Sequence, residues 1–79
     1  MIPPYYIGKN YGYEASKVVE DFQGDSYNIG TAITYLLRSG KKVYLNNSAI
    51  DSKLEDLKKA KAHIDFEILA MENELKHKS

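Results

Sequence analysis

Apolar residues recur along this chain in three blocks of helical spacing, separated by short clusters of turn formers. From Glu14 they fall at Ala15, Val18, Val19 and Phe22, the i, i+3, i+4, i+7 pattern of a short amphipathic helix that stops near Gly24. The stretch GDSYN then supplies turn formers and candidate N-caps in Asp25, Ser26 and Asn28. Ile29, Ala32, Ile33, Leu36 and Leu37 mark a second helix that runs to about Ser39 and ends at Gly40. Ahead of these, residues 1–12 hold both prolines and two of the five glycines, with Tyr5, Tyr6 and Tyr11 between them, so an irregular arm is expected, covering a core or a neighbouring subunit. The segment KKVYLNNSA, with a short apolar run from Val43 to Leu45, reads as a loop or one brief extended piece.

The third block is long. From Ser48 to Lys76 neither glycine nor proline interrupts the chain, and a seven-residue repeat appears. One set is Ile50, Leu57, Ile64 and Met71; the other is Leu54, Lys61, Ile68 and Leu75, so seven of eight positions are apolar and Lys61 breaks the seam once. Ala62, Phe66 and Leu69 add a second strip beside it. A helix of about 28 residues is about 42 Å long, more than two short helices can cover, and the remainder calls for another chain. Lys61 either fixes register or oligomer state, or packs its stem while its ammonium reaches water. The expected fold is a single all-α domain: arm 1–12, helix one 13–23, helix two 27–39, loop 40–47 and a long helix 48–76, assembled as a homo-oligomer with Leu54, Leu57, Lys61, Ile64, Ile68 and Met71 in the seam.

Composition narrows the function classes. A chain of 79 residues is one domain at most, and domains this short bury only about 60% of their unfolded surface. Eleven basic and eleven acidic side chains cancel, removing the broad positive field of a protein that binds long nucleic acid. The lack of cysteine excludes thiolate metal sites and disulfides and suits a cytosolic chain. No segment approaches the roughly 18 apolar residues of a membrane span, so no membrane partner is expected. Seven tyrosines against two phenylalanines and no tryptophan is an unusual balance, and five of the seven lie in the first 27 residues.

Candidate chemistry centres on NIGTAITYLLRSGKK, residues 28–42. Its Gly-Lys-Lys ending suggests a phosphate loop, but a Walker loop needs G-x-x-x-x-G-K-[ST] between a strand and a helix. Here the glycine spacing is wrong, Lys42 stands where the hydroxyl belongs, and the glycine follows a helix. Arg38, Gly40 and Lys41 are also what an ordinary helix C-terminus contains. Thr31, Thr34, Tyr35 and Arg38 share the face opposite the apolar stripe, which is either a solvated surface or a nucleotide-binding face. In the second case Arg38, Lys41 and Lys42 meet phosphate, and Tyr5, Tyr6, Tyr35, Asn28, Thr31 and Thr34 meet base and ribose. Glu55 and Asp56 are weak candidates for a magnesium ion carried in with a phosphate; their alternative role is to offset the helix dipole and pair with Lys58 and Lys59. No other cofactor is expected, and His63 and His77 lie too far apart on one helix to share a metal.

The order YY, GYEASKVVEDF, YNIGTAITYLLRSGKK, LEDLKKAKAHID resembles a family of small tailed-phage domains described as nucleotide-kinase-like or of unknown function. Its pattern N-x-G-x-A-x-x-Y-x-x-R-x-G-K-K falls on Asn28, Gly30, Ala32, Tyr35, Arg38, Gly40, Lys41 and Lys42, and E-D-L-x-K-A on Glu55, Asp56, Leu57, Lys59 and Ala60. The resemblance implies a phage protein, acting in the cytoplasm of the infected bacterial host, that handles nucleotides without a Walker loop. Where that family has His-Tyr in the arm, this chain has Tyr5-Tyr6, which removes an acid, base or ligand and favours binding over catalysis. The expected function is a non-catalytic binder that sequesters a nucleotide at subunit interfaces, for instance a host immune signal. The alternatives are a nucleotide kinase and a structural or host-protein-binding module.

Overall fold

The computed structural model describes residues 2–41 and 48–78. The chain is all-helical: a 3-10 turn at Pro4–Tyr6 leads to α1 (Ala15–Gln23), α2 (Tyr27–Arg38) and the long α3 (Ala49–Lys78). Among the described residues there is no strand, only an isolated antiparallel bridge between Ile7 and Glu14. Lys42 and the apolar run Val43–Leu45 lie outside the described residues.

The arm is more ordered than its proline and glycine content suggests. Gly12, at φ 72°, turns the chain so that its N–H donates to the Gly8 carbonyl and the Gly8 N–H donates to the Tyr13 carbonyl at 2.7 Å. The arm therefore folds back on itself before α1 begins. Of the three candidate caps for α2, Ser26 is the one used: its hydroxyl accepts from the Ile29 N–H at 3.3 Å. The C-terminus of α2 closes at Gly40, whose φ of 79° lies in the left-handed region. At α3 the Ser48 hydroxyl donates to the Asp51 carboxylate and accepts from its N–H, an N-terminal cap that starts the helix.

On α3 the packing runs opposite to the hydrophobic pattern, whereas α1 packs through its apolar stripe. α1 crosses α2 at Gly30, where a Cβ would stand 3.0 Å from Val19 Cγ1. α3 meets α2 through Ser52, Asp56, Ala60 and His63, while Ile50, Leu54, Leu57, Ile64, Ile68, Met71 and Leu75 all face outward, each 40–80% exposed. The polar face of α2 is accordingly not a solvated surface: it carries Asn28, Tyr35 and Arg38 against α3. Among the described residues the buried apolar side chains are three alanines, Ala15, Ala32 and Ala60. The accessible surface is 6197 Å², whereas a compact monomer of 9.0 kDa exposes about 4,900 Å².

Replacing Gly40 by alanine forces a Cβ into the left-handed conformation and against the Lys53 stem at 3.4 Å. A loss of about 1–2 kcal/mol is expected, seen as a lowered urea midpoint, with Gly40→Asn less affected. An unchanged midpoint in Gly40→Ala would show that the α2 ending does not need this backbone.

Candidate functional site

The residues that share a face in the sequence meet other residues, not solvent. Arg38, in the last turn of α2, is 7% exposed and places Nη2 3.2 Å from Oδ1 of Asp56, which has no exposed surface. Its Nη1 donates to the Tyr6 hydroxyl at 2.9 Å, so one guanidinium joins the arm, α2 and α3. The planar fork suits this task, since two partners are held in fixed directions at once. Small side chains make the approach feasible: Ala32 and Ala60 are buried, and Ser52 is wholly enclosed one turn before Asp56.

An aromatic ladder continues along the same interface. The Arg38 guanidinium carbon lies 4.5 Å from the centre of the Tyr35 ring, and Lys59 Nζ is 5.6 Å from it. Tyr35 stacks on His63 at 5.9 Å, and Tyr27 and Phe66 each present an edge contact to His63 at 5.8 Å. His63 Nδ1 is 3.1 Å from Asn28 Oδ1, a hydrogen bond when the ring proton sits on Nδ1. Thr34 donates to the Gly30 carbonyl within its own helix, and Thr31 is half-buried. Glu55 pairs with Lys59 at 3.4 Å while Asp56 turns to Arg38, so the adjacent carboxylates do not converge. Among the described residues no group of three or more His, Asp or Glu is arranged for a metal.

The motif on α2 and α3 thus has a packing explanation at most of its described positions. Asn28 meets His63, Gly30 admits Val19, Ala32 and Ala60 are buried, Tyr35 stacks between Arg38 and His63, Arg38 meets Asp56, and Gly40 turns the chain. An anion reaching Arg38 would have to compete with a desolvated carboxylate already in place.

A separate concavity of about 240 Å³ opens between the arm, α1 and the end of α2. Tyr5, Tyr6, Tyr13, Val18, Leu37 and Lys41 are among its walls, and Tyr5 meets Tyr6 edge-on at 4.6 Å. Lys41 reaches back to donate to the Leu37 carbonyl at 2.9 Å, leaving its stem along the rim. The structure therefore brings together Tyr5, Tyr6 and Lys41, with Arg38 behind Tyr6; it places Asn28 and Tyr35 along the α2–α3 interface, and Lys42 lies outside the described residues. The sequence does not single out Tyr13, which follows the arm; Gly8 and Gly12 on either side of Lys9, Asn10 and Tyr11 are the signal that the chain turns back and delivers it to the same wall.

Removing Asp56 leaves a buried guanidinium uncompensated. Asp56→Ala is expected to cost about 3–5 kcal/mol, while the double change Arg38→Met, Asp56→Leu recovers much of the loss, because apolar groups of similar volume replace the pair. Urea unfolding followed by helical circular dichroism reads both; a single-change loss under about 1 kcal/mol would mean the pair does not hold the fold.

Compared with protein-family models, curated proteins and solved structures, the chain shows no match to any of them.

Proposed function

We propose that this protein binds a small nucleotide-type ligand without converting it, using the concavity under the arm, and that it does so as a self-associated helical protein. The observation that carries the reading is the convergence of Tyr5, Tyr6, Tyr13 and Lys41 on one partly enclosed space. Aromatic faces stack on any base for about 1–3 kcal/mol each, and a lysine at the rim can meet a phosphate as a point charge. The walls of this space are aromatic and apolar apart from Lys41, a composition that supports holding a base and one phosphate.

The volume also bears on assembly. Ligand sites for whole small molecules run to about 300–1,000 Å³, so this concavity by itself encloses only part of a nucleotide, and the rest extends over the adjoining surface of Tyr13 and α1 or onto a neighbouring subunit. The resemblance to small tailed-phage domains supports the nucleotide class and suggests a phage product acting in the host cytoplasm, where sequestering a host immune signal is a use for a binder that does no chemistry.

The test is to incubate the pure protein with a nucleotide panel and ATP, then release the ligand by heat and identify it. Intact ligand is expected. Tyr5→Ala should weaken binding about tenfold or more, the fold-change expected from losing one stacked base, and Lys41→Ala should weaken it less. Phosphorylated product in place of intact ligand would replace this reading with a kinase. If no nucleotide binds and a host protein is retained instead, the protein is a docking module.

A further inference from the structure

The outward seam of α3 is set on the side of the helix away from Ser52, Asp56 and His63, so a partner can lie along it without displacing α2. The surface in excess of a compact monomer, about 1,300 Å² from the two areas above, is enough for one standard interface of about 800 Å² per partner. Charges flanking the seam decide how a second copy would lie.

We infer that α3 pairs with α3 of a second copy in antiparallel orientation, centred so that Leu54 meets the partner's Met71, Leu57 its Ile68, Lys61 its Ile64 and Ile50 its Leu75. Every seam residue is covered in this register, and each contact occurs twice. The flanking positions then set Lys58 against the partner's Asp65 and Lys53 against its Glu74, all exposed in the single chain. Such flanking charges govern orientation in helix pairs. Asp51 against Glu72 is the like-charge contact; it lies with Lys53–Glu74 at the ends of the overlap, where water screens both, so the inner Lys58–Asp65 pair, present twice, sets the orientation.

The other arrangements lose on the same count. A parallel, in-register pair sets Lys53 against Lys58 and Glu67 against Glu72, and brings Lys61 onto Lys61 at the axis. An antiparallel pair slipped by one heptad uncovers two seam residues at the ends of each chain and brings either Lys58 onto Lys58 or Asp65 onto Asp65. In the centred pair Lys61 faces an isoleucine, and its ammonium, 4.0 Å from Asp65 of its own helix, is drawn off the axis to the flank. The seam lies on the side of α3 away from α2 and so apart from the concavity; this inference gives the self-association of the proposed function one interface and does not depend on its ligand.

The chain has no cysteine, so introduced thiols report the geometry directly. Leu54→Cys and Met71→Cys proteins, both changed at exposed positions, are oxidised mildly, singly and as an equimolar mixture without nucleotide. The mixture is expected to give a covalent 54–71 dimer at least ten times faster than either protein alone gives a dimer. Equal rates, or dimers from each single protein, would overturn the orientation, and no crosslinking in any arm would overturn the pairing. In sedimentation equilibrium, Lys58→Glu should raise the dissociation constant about fivefold to tenfold, the size expected for two exposed pairs, and adding Asp65→Lys should restore it. A tighter dimer in Lys58→Glu would indicate the parallel form. Because these readouts need no ligand, nucleotide binding measured on the same proteins fails or succeeds separately.

Discussion

The contact between Arg38 and Asp56 is the constraint around which the rest of this fold is arranged. It joins positions 18 residues apart, sets the end of α2 on the first third of α3, and through the Tyr6 hydroxyl ties down the arm. A buried ion pair is weak evidence of net stability, since desolvation offsets much of the Coulomb attraction. Its value lies in direction: apolar contacts between two helices tolerate sliding, whereas a forked guanidinium between a carboxylate and a phenol tolerates little. The neighbouring Tyr35, His63 and Asn28 extend the same directional contacts further along both helices.

That choice of interface explains the unusual division of labour on α3. The face committed to α2 is polar or small, and the face left outside is apolar. An isolated small domain ordinarily does the reverse, because burying large apolar side chains supplies most of the driving force for folding. Here the directional contacts specify how the helices of the subunit are arranged, and the apolar seam is left on the outside. Lys61, the one break in that seam, sits beside Asp65 and so carries its charge away from the apolar line.

The concavity is a product of the arm. The left-handed turn at Gly12 would be of little use if the arm were free, but the Tyr6–Arg38 bond and the Ile7–Glu14 bridge hold it over α1 and the end of α2. The same guanidinium therefore shapes the site from behind without lining it. The walls of the concavity carry the tyrosine faces and Lys41, and it is on these groups that the proposed binding role rests.

Much of this was legible in the sequence. Three helices, the long uninterrupted third, the Ser26 cap among its candidates, the glycine ending of α2 and the seven-residue apolar repeat follow from spacing and local backbone preference, which act over a few residues. Composition and spacing also mark the arm tyrosines and the cations near Gly40 as candidates, of which Tyr5, Tyr6 and Lys41 line one concavity. What only the tertiary structure decided is which face of each helix meets which. Periodicity marks Thr31, Thr34, Tyr35 and Arg38 as one face but cannot say whether that face meets water, a ligand or another helix; Asp56, far along the chain, answers for Arg38. An ion pair and a ring stack are fixed by three-dimensional direction between distant residues, and no local pattern in a single sequence carries that information.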